Sequence, residues 1–395
     1  MEMMTTIRSV LIAGFLCITS VAASAQDSSV QDVLEFLATN QSVRTDDFVR
    51  DAQAAQATSD TLAAALLVEL TTFPLPTSSG GFSYRFNPSL GTLERVAQSF
   101  GPTFVDRAVT AGAGYASASI TFQPSQFVSL DGRRLGDGSL ITTSNKFRDE
   151  AAPFDFESLT LDMRTDTVTL FGNYGVTDRI DVGFALPMIL SRVSGERVNT
   201  YRGTSSVQAR GQATAFGVGD IPIRSKQHLV RSKSWGLATS VELYLPTGSR
   251  ENLQGTGKTA LKTLVIASTA GSDIELSANG GFVFGGAASH AIMAGAVSAE
   301  LTRGLTLSGE GVGRYVDGRG RIREVAQSHP LFSGVDTIRL LPTDSGIMNF
   351  TAVLGIRWNV AGTWLVNSYV LFPVAGASLA ARPVPAFSVD YSFIP

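Results

Sequence analysis

The string in this chain nearest to a reactive motif is Gly255-Thr256-Gly257-Lys258-Thr259. Glycine, lysine and a hydroxyl residue in that order end the loops whose backbone N–H groups and lysine cradle phosphates. The full pattern needs a glycine five places before Gly257, and Asn252 stands there. No helix-forming run follows to aim a helix N-terminus at an anion. The three histidines, His228, His290 and His329, are far apart and lack the HExxH spacing of a zinc site. No GxSxG elbow marks a nucleophile, and Ser289 beside His290 reads as a rim pair. Cys17 is the one cysteine. These residues assign no catalytic group, no cofactor site and no metal site, and the chain is not expected to be an enzyme.

A second set of polar residues is more informative. Asp181, Arg224, Lys226, Glu242, Glu275, Glu300, Glu310, Arg314 and Arg357 sit inside otherwise apolar alternating stretches or near their ends. On a lipid-facing surface near the membrane midplane a charge costs about 2 to 4 kcal/mol. If the alternating stretches are membrane strands, these side chains must face a lumen or a rim. There acids and bases can pair across a narrow interior, either filling it or setting the field that a solute meets.

The elements that would hold them are strands. Thr167 to Ile189 reads TVTLFGNYGVTDRIDVGFALPMI, with Val168, Leu170, Gly172 and Tyr174 at spacing two. The turn Gly175-Val176-Thr177-Asp178 follows, then Ile180, Val182, Phe184 and Leu186 at the same spacing. This is a hairpin with one apolar face per strand. The pattern continues to the C-terminus, as in Leu237-Thr239-Val241-Leu243-Leu245, Leu276-Ala278-Gly280-Phe282-Phe284 and Ala352-Leu354-Ile356-Trp358. Twelve firm strands follow residue 112, thirteen or fourteen with the weaker ones, at lengths suited to spans of about 9 to 11 residues. Polar stretches 137–153, 191–212 and 317–345 read as loops, the last two as long extracellular ones. Tyr115, Phe122, Tyr174, Trp235, Tyr315, Trp358, Trp364, Phe372 and Phe393 fall at strand ends, where an interfacial aromatic girdle belongs.

Composition and targeting agree. Arg8, the largely apolar Ser9–Val21 and the small-residue site Ala23-Ser24-Ala25 form a signal peptide, residues 1–25, with the mature chain expected from Gln26. Cys17 leaves with it, so no internal disulfide follows. Charged residues are 16%, below the usual quarter of a soluble protein, and glycines number 39. The net charge of -3 points to no nucleic-acid partner. No run of 18 apolar residues could span a bilayer as a helix. An open sheet edge is untenable in hydrocarbon, so the strands must close on themselves. The expected fold is all-β: a closed antiparallel transmembrane β-barrel of about 12–14 strands in the outer membrane, over residues 81–395. A secreted sandwich would alternate too, but it would not account for low charge, high glycine and export together.

Residues 26–80 differ. VQDVLEFLATNQSV and ATSDTLAAALLVELTTF carry helical spacings, with Leu62, Leu66 and Leu70 on one face and Ser59-Asp60 as a cap. This segment reads as a plug, a periplasmic arm or a flexible leader. Pro74, Pro76 and Ser78-Ser79-Gly80-Gly81 end it.

YGVTDRIDVGFALP (174–187), GVGDIPIRSK (217–226), LYLPTGSRENLQGTG (243–257) and SFGPTFVDRAVTAG (99–112) resemble, as an ordered set, the outer-membrane barrels labelled MetA-pathway of phenol degradation or transporter-like. The resemblance runs from about Gly81 to the end. It implies a channel that lets small hydrophobic or aromatic solutes cross passively. Its partners would be outer-membrane lipid, the barrel-assembly machinery and small-molecule solutes, and no cofactor is required. Two positions depart from the family pattern. Pro222 stands inside the motif usually written GDxxLRxKY and removes a ladder donor, so a strand start, edge or bulge is required there. The chain finishes Phe393-Ile394-Pro395 where such barrels finish on the aromatic. The alternatives are an adhesive or structural barrel working through its long loops, and a barrel acting on lipid.

Overall fold

The computed structural model describes residues 28–38, 48–71, 74–76, 81, 84–87, 92–95, 99–232, 234–269, 273–317, 321–343, 345–375 and 379–394. The expected signal peptide lies outside the described residues.

Twelve strands form the wall: β1 (Ala116–Leu130), β2 (Asp155–Gly175), β3 (Ile180–Tyr201), β4 (Ile221–Arg231), β5 (Trp235–Leu245), β6 (Ala260–Thr269), β7 (Ile274–Gly285), β8 (His290–Thr302), β9 (Leu305–Val316), β10 (Ile347–Ala361), β11 (Trp364–Ala375) and β12 (Val384–Phe393). Each is antiparallel to the next, and β12 returns to β1 with Phe387 opposite Phe122 and Phe393 opposite Ala116. The barrel is closed and no wall strand is left with an open edge.

Polarity is inverted relative to a soluble protein, and β7 shows why the sequence alternates. Glu275, Ser277 and Asn279 are buried toward the interior, while Ile274, Leu276, Phe282 and Phe284 stand on the outer surface. The same alternation runs around the wall. Val182, Phe184, Val265, Met293, Val297, Leu354 and Ile356 are all exposed on the outside. A continuous apolar outer band of this size is stable only against lipid. Trp235, Trp358 and Tyr174 sit near one end of the band, and Tyr315, Phe284 and Phe350 near the other, as two aromatic girdles require.

Connections 176–179, 303–304 and 362–363 are short and lie at one end; the longer ones lie at the other. Barrels of this class keep short turns in the periplasm and long loops outside, which sets the orientation. On the outer side the structure corrects the sequence expectation. Residues 191–212 are not a loop: β3 runs on to Tyr201 and returns, after Arg202-Gly203, as strand Thr204–Val218. Arg202 and Gly203 both take positive φ, the geometry of a tight hairpin turn. Residues 317–345 likewise hold the hairpin Ile322–Ser328 and Val335–Pro342, and 137–153 holds strand Leu140–Phe147. These strands are polar on the outside because water, not lipid, covers them above the membrane, so the apolar alternation that reveals a membrane strand is missing. At 21 and 22 residues, β2 and β3 are about twice the length a bilayer needs.

Among the described residues two helices precede the wall, α1 (Val30–Ala38) and α2 (Phe48–Thr71). Ser29 and Asp32 cap α1 reciprocally: the Ser29 N–H donates to Asp32 Oδ2 at 2.8 Å, and the Asp32 N–H donates to Ser29 Oγ at 3.0 Å. The bonds to Ser29 hold the Asp32 carboxyl below its ordinary range. Val30, Val33, Leu34 and Leu37 bury one face of α1. It seats against Gly195 and Gly211, a directly opposed pair where added Cβ atoms would strike Leu37 and Val33. Helix α2 begins at Phe48, not near Ser59-Asp60, which lie within it. Leu62 and Leu66 of α2 join Phe127, Leu130, Leu159, Leu161 and Met163 in one buried apolar cluster. The hydrophobic core therefore lies inside the barrel, in its outer half. No helix among the described residues is long and apolar enough to cross a membrane. A short ribbon, Tyr84–Asn87 with Thr92–Arg95, stands apart from the wall ladder.

Leu354 is 61% exposed at mid-strand in β10. Leu354→Arg is expected to destabilise the lipid-inserted barrel by about 2 to 4 kcal/mol, read as a lower urea midpoint for loss of the heat-modifiable folded band.

Candidate functional site

The site is the lumen, and among the described residues it holds the stretch 99–111 and the two helices. Residues 99–111 occupy the periplasmic half, held by polar contacts together with the apolar contacts of Phe100 on Leu365, Phe104 on Tyr369 and Ala108 on Ala238. Glu310 of β9 accepts three successive backbone N–H groups, from Thr103 at 2.6 Å, Phe104 at 2.7 Å and Val105 at 3.0 Å. A carboxylate in a run of aligned donors is fully satisfied while buried. Ser99 Oγ donates to Glu275 at 2.6 Å, the Ala108 N–H to Ser268 at 3.0 Å, and the Ala111 N–H to Asp181 at 3.0 Å. Arg357 donates to the Phe100 carbonyl at 2.8 Å and Lys226 to the Val109 carbonyl at 2.6 Å. Asp106 pairs with Arg224 at 2.8 Å and Arg107 with Glu275 at 3.5 Å. Gly112 packs on Gly175 so closely that a Cβ there would run into the Gly112 carbonyl.

In the outer half the helices make the contacts. Glu69 of α2 pairs with Arg314 of β9 at 3.5 Å and accepts from Asn349 at 2.7 Å. Asp51 pairs with Arg339 at 3.0 Å. At the start of α1, the Gln31 N–H donates to the Glu251 carbonyl at 2.8 Å. The described segments thus run from the outer rim down the lumen to the periplasmic end before the wall begins at Ala116.

Between the two lies a cavity of about 230 Å³. Leu70, Pro74 and Pro76 close it above, and Phe104 below; Phe127, Phe171, Leu264 and Val283 line its sides. Its charged lining is already paired: Lys262 with Glu242 at 3.1 Å, and Glu242 with Arg224 at 3.8 Å. Tyr244 donates its hydroxyl to Glu242 at 3.0 Å. What remains for a solute is mostly apolar and aromatic.

The cavity reaches the wall at an interruption in the ladder. The β3–β4 pairing stops at Phe184 opposite Ile223, and β3 next pairs with Thr204–Val218 from Met188 opposite Val218. Residues 185–187 and 219–222 lie off that ladder, bridged by the Gly219 N–H to the Pro187 carbonyl at 2.8 Å. Pro187 and Pro222 supply no N–H at this seam. Pro222 is indeed at a strand start, one of the places where a barrel tolerates it. Phe184, 50% exposed on the lipid side, lines the cavity together with Pro187, Gly219 and Pro222.

The structure separates the other candidate groups. Asp220 accepts from the Gly248 and Thr256 N–H groups at 3.0 and 2.8 Å and from the Thr256 hydroxyl at 2.9 Å. The phosphate-loop-like string therefore wraps a carboxylate of its own chain. Ser289 accepts from the Gly285 N–H, and His290 turns to the Ala288 carbonyl, so they form no dyad. His329 accepts from the Leu331 and Phe332 N–H groups. No cluster able to hold a metal occurs among the described residues. Of the nine strand charges, all but Glu300, which is half-buried, are buried in the lumen. Asp106, Arg107, Glu69 and Lys262 were missed by sequence reasoning. The first three lie outside the alternating strands, and Lys262 sits on β6, where no charge was singled out.

Residues 147–317 match the family model described as putative MetA-pathway of phenol degradation. No curated protein matches. Among solved structures, an outer-membrane channel from Pseudomonas putida F1 is similar at 13% identity and a TM-score of 0.44, covering 72% of this chain and 98% of that one. OprD of Pseudomonas aeruginosa is similar at 8% identity and TM-score 0.28, with 74% and 99% covered. OprB of Pseudomonas putida is similar at 10% identity and TM-score 0.27, with 71% and 92% covered. The chain forms a closed antiparallel barrel with an apolar outer band.

Glu310→Ala leaves three buried N–H groups without an acceptor, each worth about 1 to 3 kcal/mol. Residues 99–111 are then expected to loosen while the wall stays folded. Trypsin cleavage after Arg107, absent in the wild-type barrel, should appear in the variant without loss of the heat-modifiable band.

Proposed function

We propose that this barrel passes small hydrophobic or aromatic solutes by passive diffusion, and that residues 26–80 act as its plug. The observation that carries the solute class is the apolar, aromatic-lined cavity that meets the wall at the seam beside Phe184. Its volume, about 230 Å³, is a little below the ~300–1,000 Å³ of sites for drug-sized ligands, which suits a single-ring compound. The ion pairs around it are closed on themselves, so a charged solute finds no unpaired partner of fixed sign, whereas an apolar one gains burial. The seam offers such a solute a way between lumen and lipid that avoids the polar periplasmic half. The family match over residues 147–317 supports this reading.

Gly219 faces Pro187 and Ile189 across the seam, and a Cβ there would press on both. Gly219→Leu is expected to lower uptake of p-xylene into liposomes at least ten-fold while leaving glycerol permeation unchanged. Equal loss of both solutes would reject the seam as the apolar route.

The plug reading rests on the contacts of α1 and α2 in the outer half of the lumen. Removing residues 26–80 from the mature chain should raise single-channel conductance several-fold in planar bilayers; unchanged conductance would count against it.

A further inference from the structure

The outer face of the wall carries an arrangement that solute passage does not use. Immediately above the apolar band on β2 and β3, Arg164 stands directly opposite Arg192. On its other side Arg164 is opposite Gln126 of β1. The Arg382 N–H donates to the Gln126 carbonyl at 2.9 Å, which continues the row onto the next segment. Adjacent strands are about 4.8 Å apart, so three arginines occupy one level over four neighbouring segments. Arg164 and Arg192 expose 54% and 47% of their side chains, and Arg382 is exposed.

Their level is fixed by the strands themselves. Below the row the outward residues are Asp166, opposite Leu190, and then Val168, Leu170 and Met188; above it they are Asp162, opposite Ser194, and then Glu196 and Arg210. The row therefore lies where hydrocarbon gives way to headgroups on the outer side. Like charges directly opposite each other destabilise a sheet, and an anion lying across both guanidinium groups would relieve the repulsion that their carboxylate partners leave. The carboxylates facing the row are Asp162, paired with Arg164 at 2.9 Å, and Asp166, paired with Arg192 at 2.6 Å. Glu196, two outward positions beyond Arg192, is taken by Arg210 at 2.6 Å. With Arg382 included, the row carries one more positive charge than its acids. Each guanidinium has donors beyond those one carboxylate uses, in a planar fork that matches phosphate oxygens.

We propose that this row is a binding site for the phosphate groups of a phosphorylated glycolipid in the outer leaflet. The site fixes one side of the barrel, the side bearing β1 to β3, against that lipid. The inference is independent of the transported solute.

The test uses the full mature protein in zwitterionic micelles, with bisphosphorylated lipid A as probe and native mass spectrometry as readout. Wild-type protein should retain lipid A, and R164Q/R192Q/R382Q should bind it at least ten-fold more weakly. Because those changes strand two carboxylates at the membrane boundary, a second variant, D162N/R164Q/D166N/R192Q/R382Q, removes the whole patch without that penalty and should show the same loss. Dephosphorylated lipid A should bind both proteins equally weakly. Retention of lipid A by the neutral-patch variant at the wild-type level would overturn the proposal. So would equal wild-type binding of the dephosphorylated lipid. Competition by inorganic phosphate alone at lipid-like affinity would show a free-anion site and overturn the glycolipid assignment.

Discussion

The constraint on which the rest depends is that hydrocarbon offers no partner to a backbone N–H or carbonyl. Every wall strand must give its hydrogen bonds to two neighbours, and the ring of twelve meets this by returning β12 to β1. Once the ladder is closed, side-chain polarity follows. Outward positions such as Leu276 and Phe282 must be apolar, and the inward ones alternating with them are released from that demand, so Glu275 and Asn279 can occupy them.

Release from lipid is not release from electrostatics. A barrel of twelve strands with an occupied lumen buries its inward charges, and an unpaired buried charge is costly. The interior answers with mutual pairing. Arg224 serves Asp106 and Glu242, Lys226 faces Asp181 and the Val109 carbonyl, and Glu310 closes on three amides of one loop. These partners come from different strands and from the luminal segment, so the segment is part of what makes the wall's charges tolerable. The same wall keeps an apolar core in its outer half, where α1 and α2 meet the inward leucines of β1 and β2. Polar fastening below and apolar packing above leave the aromatic cavity between them.

Pro187 and Pro222 show where the closed ladder yields. Each lacks the donor that the ladder needs, and the two meet where β3 changes partner from β4 to the outer hairpin. Placing both at one exchange point confines the loss to a few residues rather than to two separate defects. The Gly219 N–H and the side chain of Gln254, which donates to the Ile189 and Ala215 carbonyls, supply bonds around the break.

The period-two alternation, read with low charge, high glycine and an export signal, determined that the chain is an antiparallel membrane barrel of about a dozen strands, because lipid on one side and a lumen on the other impose opposite chemistry on successive residues. It also determined that Asp181, Arg224 and Glu310 face inward, since lipid would reject them. Pro222 announced a strand start for the equally local reason that it has no N–H. The strands above the membrane were not legible, because water does not demand the alternation: 191–212 looks like a loop and folds as a hairpin. Nor was the start of α2 legible, since Ser59-Asp60 resembles a cap but lies within a longer helix. Only the tertiary structure decided which charge meets which, that Asp220 fills the glycine-rich loop, that Pro187 and Pro222 share a seam, and that three distant arginines stand in one row. Each depends on register between segments far apart in the chain, and register is set by closure of the whole ring rather than by any stretch of residues within it.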